Sequence, residues 1–386
     1  MTSRPLRVLL LCDRLDIAGG VERFVCALAN HLAGVGMEVA VGSMATSGER
    51  IRYPLDPAVR VLRGRDDDRG EGAAEARGRI MRAWRLLRAQ WRIGRTLTAL
   101  TRADDPDVVV LNGLTTACSV LLLDRRYAAR TICCDHNHYG ARSALWQRLR
   151  RWLYPKVAAV VSLTHADAAR FRALNPNTQV IYNASSLRAD SPAPVDYAIA
   201  IAVGRHVAQK GFDLLVRAWV AVARELPQAR LRVVGDGPLR AEHERLAHEL
   251  GVAPSIEWLA PTAQVEPLYR AAAVFVLSSR YEGMPLALLE AQALGVPAVA
   301  FDCPTGPGEI VTEQTGRLVP PGDVAALAAA LIELLSVPNE RRERMGAAAI
   351  ARSREVFSPQ ERDRHWTALV REVGSHAPAR AHGAAA

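Results

Sequence analysis

The 386-residue sequence predicts an α/β protein of two domains, each a parallel sheet with crossover helices, the two sheets facing each other across a cleft. Three observations carry this expectation. Short apolar runs alternate with amphipathic helical segments through both halves of the chain, the pattern of parallel strands joined by helices. A junction rich in Ser, Pro and Ala, from Ser185 to Val195, separates the halves and reads as a linker. Turns containing glycine directly follow several strands, and open α/β sheets bind their ligands at those strand ends.

In the first half, strands are expected at Val8–Cys12, Glu38–Gly42, Asp107–Leu111, Thr131–Cys134 and Ala158–Ser162. The first runs into Gly19-Gly20-Val21-Glu22 and a helix with Phe24, Leu28 and Leu32 on one face. Paired glycines let a backbone approach a ligand where a side chain would collide, although a plain tight turn explains them equally well. Strand Thr131–Cys134 leads into Asp135-His136-Asn137-His138. His136 is placed to reach the cleft and bind a substrate hydroxyl or a diphosphate; a helix-capping or core histidine is the competing reading. His138 lies further out on the loop.

In the second half, strands are expected at Ala198–Val203, Arg230–Val234, Ile256–Trp258, Val274–Leu277 and Ala298–Phe301. The first ends in Gly204-Arg205-His206 and reaches Lys210-Gly211. Arg205 and Lys210 suit neutralisation of a leaving diphosphate in place of a metal ion. Lys210 is one of only two lysines against 47 arginines, which points to a need for a compact point charge there. Two solvated surface cations are the alternative. Gly235-Asp236-Gly237-Pro238 after strand Arg230–Val234 reads best as a structural turn.

The most informative stretch is Ser278-Ser279-Arg280-Tyr281-Glu282-Gly283-Met284-Pro285-Leu286-Ala287-Leu288-Leu289-Glu290. A buried strand precedes it, Pro285 fits the first position of a helix, and Gly295 and Pro297 end that helix. Amides at Gly283, Met284 and Leu286 would then sit at the helix's positive end, which suits a diphosphate. Glu282 in the loop and Glu290 just over one turn into the helix would accept hydroxyls on either side of it. Sugar, diphosphate and ribose in line describe a nucleotide-sugar. A solvated helix residue is the plainer reading of Glu290 alone.

Composition bounds the rest. No apolar run approaches the roughly 20 residues of a membrane span, and the N-terminal run is too short and too quickly charged for a signal peptide. Six cysteines show no C-x-x-C spacing, so neither zinc nor a disulfide framework is expected, and a reducing cytoplasm is. Residues 1–190 carry 29 Lys+Arg against 18 Asp+Glu, whereas residues 191–386 carry 20 against 22. The basic excess of the first half points to an anionic partner, a membrane surface or a polyanion. Two amphipathic segments supply much of it. One sets Arg82, Arg85, Arg88, Arg92 and Arg95 beside a stripe of Ile80, Trp84, Leu87 and Trp91. The other has Leu145, Leu149, Trp152 and Leu153 on one side and Arg142, Arg148, Arg150 and Arg151 elsewhere. Both suit an anionic membrane interface; an ordinary surface in an arginine-rich protein is the alternative. Nucleic acid is not expected, for want of a recognition motif and of aromatics for base stacking.

Taken in order, Gly19-Gly20-Val21-Glu22, Gly204-Arg205 with Lys210-Gly211, Gly235-Asp236-Gly237-Pro238 and the 279–285 stretch with Glu290 resemble the retaining glycosyltransferases of family 4 (group 1), of the two-Rossmann-domain GT-B class. The resemblance covers about residues 5–370. Phe301-Asp302-Cys303-Pro304-Thr305-Gly306-Pro307 is similar to a subgroup building bacterial surface or lipid-linked glycans, often from UDP-hexoses or UDP-N-acetylhexosamines.

The resemblance implies metal-independent transfer with retention and no cofactor beyond the nucleotide-sugar co-substrate. Arg205 and Lys210 would hold the diphosphate, Glu282 the donor sugar and Glu290 the ribose. His136 matches the active-site histidine, although Asp135-His136-Asn137 departs from the commoner Glu-His-Asn. The donor-binding set is Gly19, Gly20, Gly204, Arg205, Lys210, Trp258, Gly283, Met284, Pro285, Leu286 and Glu290. Arg82, Arg85, Arg88, Arg92, Arg148 and Arg151 are assigned to the membrane and acceptor side. The domains expected are residues 1–185 and 196–356, a helix over 357–373 crossing back to the first, and a disordered tail over 374–386. The protein would work in the cytoplasm, peripheral on the inner face of the cytoplasmic membrane. Alternatives are a GDP-mannose-dependent mannosyltransferase, a nucleotide-sugar 2-epimerase and a non-catalytic membrane-binding protein. A dinucleotide oxidoreductase is poorly supported, because neither first-strand loop carries G-x-G-x-x-G.

Overall fold

A computed structural model describes residues 4–17, 19–44, 51–64, 79–193 and 198–376, with the backbone alone for 79–87. The chain divides into two compact units, Met1–Ile181 with Asp363–Ala386, and Tyr182–Arg362. The sequence reading ends the first domain at residue 185; the chain enters the second unit at Tyr182. There the Tyr182 ring packs edge-on against Phe357 at 5.1 Å and its hydroxyl donates to Glu309 at 2.9 Å. The return to the first unit falls inside the helix Pro359–Ser375, whose Asp363 meets His31 at 3.5 Å. Residues 194 and 195 of the expected linker and 377–386 of the expected tail lie outside the described residues.

In the first unit the described strands are β1 (Arg7–Leu11), β2 (Glu38–Ser43), β3 (Arg60–Arg63), β4 (Val108–Asn112), β5 (Thr131–Asp135), β6 (Ala159–Ser162) and β7 (Thr178–Val180). They pair in parallel in the order β3-β2-β1-β4-β5-β6-β7. Helices cover both faces, so the central strands are apolar throughout: Val8, Leu9, Leu10 and Leu11 are all fully buried. The second unit carries β8 (Ile199–Val203), β9 (Arg230–Val234), β10 (Ile256–Leu259), β11 (Val274–Leu277), β12 (Ala298–Phe301) and β13 (Gly316–Val319), parallel, in the order β10-β9-β8-β11-β12-β13. Its core packs Trp219 of the helix Phe212–Glu225 with Leu327 and Leu331 of the helix Val324–Ser336.

Both are Rossmann-like sheets of the two-domain α/β class. Strand order reverses between β1 and β4 in one and between β8 and β11 in the other, opening a ligand crevice at the carboxyl ends of those strands. Three strands were not expected. β3, β7 and β13 are all at sheet edges, where short length and charge replace a long apolar run: β3 begins and ends with arginine, and β13 opens with Gly316-Arg317. No helix among the described residues is long and apolar enough to cross a membrane.

Candidate active site

At the reversal point of the second unit, the loops after β8 and β11 interlock. Lys210 Nζ lies 2.6 Å from Glu282 Oε1, and Ser279 Oγ donates to the same oxygen at 2.6 Å. Thr305 Oγ1 donates to the Glu282 backbone oxygen at 2.5 Å, tying in the loop after β12. Gly211 is left-handed at φ 62°, and a Cβ there would lie 2.1 Å from Ser278 O, so the close approach of the two loops demands glycine. Arg280 clamps the pair from outside, with two bonds to Asp213 (2.9 and 2.6 Å) and one to Ala208 O (2.7 Å).

Chemically, this cluster is a buried carboxylate held by one ammonium and one hydroxyl. Glu282 Oε2 meets no partner among the described residues, so it can accept a hydroxyl. Lys210 spends one of its three N–H donors on Glu282, leaving two for an anion. Arg205, one residue beyond Gly204, is exposed and makes no side-chain bond among the described residues.

The sequence reading puts Pro285 at the first helical position; in the structure it is the residue before the helix. Its ψ of 108° is extended, and it caps the helix Leu286–Ala293 by accepting from the Leu288 and Leu289 amides, both at 3.2 Å. Amides of Leu286 and Ala287 thereby stand at the helix's positive end, after the buried Gly283 and Met284. Glu290 is buried one turn inside, where Tyr269 donates its hydroxyl to Oε2 at 3.0 Å.

His206 turns inward from the Arg205 loop, fully buried, its Nδ1 3.0 Å from His243 Nδ1. Burial, then the proximity of His243 and Arg240, pushes its imidazole down to about 4. A Cβ on Gly235 (φ 148°) would lie 1.9 Å from Gly204 O, so the β9 turn is a structural support pressed under the β8 loop. Trp258, expected to bind donor, lies outside the Lys210–Glu282 cluster. It lies within edge strand β10, its ring 5.6 Å from His206, and lines an open groove of about 540 Å³ with Arg240, Glu244 and His248.

In the first unit, Gly19 and Gly20 open the helix Gly20–Gly34 after β1. Gly19 is extended (φ −151°), so no left-handed turn demands it; a Cβ there would meet the Glu22 carboxylate. His136 follows β5, with Nε2 3.0 Å from Asn112 Oδ1 at the end of β4 and Phe24 edge-on at 4.8 Å. Burial pushes its imidazole down to about 4, so it is neutral at physiological pH.

Asp135 points the other way. Its carboxylate takes Arg150 Nη1 at 3.0 Å and the Tyr154 hydroxyl at 2.6 Å, and burial raises its pKa against both partners. Sequence reasoning missed the roles of Asn112, Ser279 and Tyr269. For Asn112 the signal was a polar residue closing an apolar strand.

The basic segments divide differently from expectation. The side chains of Ile80, Arg82, Trp84, Arg85 and Leu87 lie outside the described residues. Arg88, Arg92, Arg148 and Arg151 are exposed. Arg150 is not: at 1% side-chain exposure it is a core residue, because the buried face of the helix Ala144–Leu153 is turned toward it. Trp91 (52% exposed) carries Arg95 over its ring at 4.7 Å, and Trp152 (45%) carries Arg125 at 4.6 Å and Lys156 at 4.4 Å. The helices join into one face: Gln90 bonds Ser119 Oγ at 2.8 Å, and the helix Leu114–Leu123 packs on Ala144–Leu153. Among the described residues, every large apolar side chain left exposed belongs to this unit. All six cysteines are buried free thiols whose pKa burial raises, which leaves them inert.

Residues 18–189 match the family model "Glycosyltransferase Family 4" and residues 183–352 match "Glycosyl transferases group 1". The chain is similar to the amylovoran biosynthesis glycosyltransferase AmsD of Erwinia amylovora, 28% identical over 317 residues, 80% of this chain and 84% of that one. It is also similar to the lipopolysaccharide core biosynthesis glycosyltransferase LpsD of Rhizobium meliloti, 27% identical over 352 residues, 88% of this chain and 91% of that one. Among solved structures, sucrose-phosphate synthase from Thermosynechococcus elongatus superposes with a TM-score of 0.78 at 21% identity, covering 96% of this chain and 99% of the other.

Proposed function

The chain belongs to the family 4, group 1 glycosyltransferases, and from that premise we propose that it moves a hexose or N-acetylhexosamine from a UDP-sugar to a lipid-linked or surface-glycan acceptor, with retention and without a metal ion. The observation that carries this reading is the Lys210–Glu282–Ser279 cluster at the β8–β11 reversal. Lys210, with Arg205, takes the diphosphate as its glycosidic bond breaks. Glu282 Oε2 accepts a hydroxyl of the donor sugar. Glu290, oriented by Tyr269, accepts from the ribose, and the amides at Leu286 and Ala287 face the phosphates. His136, following β5, contacts a sugar hydroxyl. The acceptor class follows the relative named for lipopolysaccharide core biosynthesis and the 301–307 motif. Because a fixed ammonium supplies the positive charge, sugar transfer in excess EDTA should match transfer in added magnesium or manganese. A divalent requirement in the chemical step would overturn this part of the reading. Running the same assay with UDP- and GDP-sugars separates the proposed donor from GDP-mannose. Release of a 2-epimer without transfer would identify the epimerase instead.

The exposed tryptophans and arginines of the first unit support docking on the anionic inner face of the cytoplasmic membrane, next to a lipid-linked acceptor. At about 1 kcal/mol per cation near such a surface, replacing Arg88, Arg92, Arg148 and Arg151 with glutamine should weaken vesicle binding roughly thirtyfold even at half that value. Sedimentation with vesicles containing phosphatidylglycerol measures it. Transfer to a short water-soluble acceptor should persist. Unchanged vesicle binding with loss of soluble-acceptor activity would instead assign these arginines to the catalytic site.

A further inference from the structure

We infer that Asn112 is a positioning residue that holds the His136 proton on Nε2 and leaves Nδ1 as an acceptor for a hydroxyl of the bound sugar. The inference rests on the reading of His136 as a sugar contact. Asn112 closes β4 and is 3% exposed. Its Nδ2 donates to Leu11 O on β1 at 3.1 Å and lies 3.5 Å from Val110 O. Rotating the amide would set its oxygen against those two carbonyls, so the orientation is fixed by the sheet itself. The group facing His136 Nε2 at 3.0 Å is therefore an oxygen that only accepts. Nε2 must carry the hydrogen, and Nδ1 keeps its lone pair.

The ring cannot easily leave this pose. Phe24 meets it edge-on at 4.8 Å and is itself backed by Trp366 at 5.6 Å. Nδ1 meets no partner among the described residues. The titratable groups on the surrounding elements are committed elsewhere. Asp13 accepts from Thr116 at 2.6 Å, Glu22 folds beneath Gly19, and Asp135 is paired with Arg150 and Tyr154. The imidazole stays neutral through the physiological range, in keeping with its burial. The sequence left a hydroxyl and the diphosphate as alternative ligands of His136. A neutral ring presenting a lone pair repels phosphate oxygens and accepts O–H, so the hydroxyl is the ligand.

The first measurement is the nitrogen spectrum of the histidine rings in the full chain, which separates the two neutral tautomers. His136 is expected as the Nε2–H form, and an Nδ1–H ring in the wild-type protein would overturn the inference. The second compares Asn112→Ala with Asn112→Asp. Removing the acceptor should mix the tautomers and lower kcat/KM about tenfold, as loss of one buried hydrogen bond does. Aspartate keeps an oxygen toward Nε2, and once protonated on its other oxygen it also donates to Leu11 O, so it should restore most of the activity as pH falls. An aspartate variant as impaired as the alanine variant at every pH would mean that Asn112 only stitches β4 to β1. His136→Ala tests the premise: full activity there removes His136 from substrate binding, whereas impairment together with the wrong tautomer removes only Asn112's role. If Asn112→Ala does not fold, the wild-type spectrum and the aspartate variant still decide.

Discussion

Lys210→Ala is expected to lower kcat by about 10²–10³-fold, the usual loss on removing one preorganised group that stabilises charge developing in the transition state. In the proposed reaction the diphosphate gains negative charge beside Lys210 as its bond to the sugar breaks, and the ammonium is already fixed, 2.6 Å from Glu282 Oε1, with Ser278 Oγ donating to the Lys210 carbonyl at 2.9 Å. Since this charge grows along the reaction, the loss belongs in kcat more than in KM. Lys210→Arg sharpens the test in a chain that otherwise uses arginine for nearly every cation. A planar fork cannot take the place of a point charge wedged between Glu282 and the β8 loop, so this variant should remain at least about tenfold impaired. Glu282→Ala should also cost turnover, because it loses the proposed sugar contact and strands Lys210. Glu290→Ala should act chiefly on KM, by about tenfold to a hundredfold, since a ribose contact is equal in ground and transition states. Steady-state kinetics with a soluble acceptor reads all four. Wild-type kcat in Lys210→Ala, or full activity in Lys210→Arg, would remove Lys210 from the chemistry.

What could be read from sequence follows from how far each signal travels along the chain. The central strands announced themselves because both faces of a parallel sheet are covered, which requires unbroken apolar runs such as Val274-Phe275-Val276-Leu277. β3, β7 and β13 did not, because an edge strand needs only one neighbour. Glu282, Glu290 and Lys210 were legible since strand, turn and helix place them locally. Ser279 sat within the same motif, but its bond to Glu282 depends on the loop's fold. Asn112 stands out only as a polar residue closing an apolar strand, for a different reason: its partners are Leu11, 101 residues earlier, and His136, 24 later, and adjacency in a sheet has no linear signature. The amphipathic helices were legible as helices only. Their orientation follows from what the rest of the unit offers: on the apolar side of the second segment Leu145 and Trp152 face solvent, whereas Leu153 is buried.

Arg150 is where that ambiguity matters most for stability. By pattern it joins the other arginines of its helix on the basic surface. Instead it is buried, bonded to Asp135 at 3.0 Å and to Tyr139 O at 2.5 Å, with its guanidinium stacked 3.6 Å over the Tyr139 ring. Arg150→Ala should therefore destabilise the first unit by about 3–5 kcal/mol, the cost of stranding a buried charge. Hydrogen exchange of the β4, β5 and β6 amides reads that unit apart from the other.

The pH dependence has a definite sign. Burial already holds the Asp135 carboxyl above its usual range, and loss of Arg150 raises it further. Between the unfolded and folded values the folded chain binds the extra proton, so stability falls as pH rises through that window. The variant should accordingly lose more at pH 8 than at pH 5. Removing both charges, as Asp135→Asn with Arg150→Met, should recover much of the loss, because no buried charge is left unpaired. Vesicle binding should be unchanged in Arg150→Ala if the unit remains folded. The opposite pattern, undisturbed stability with vesicle binding lost, would return Arg150 to the membrane-facing surface. It would also undo the ion pair that turns Asp135 away from His136.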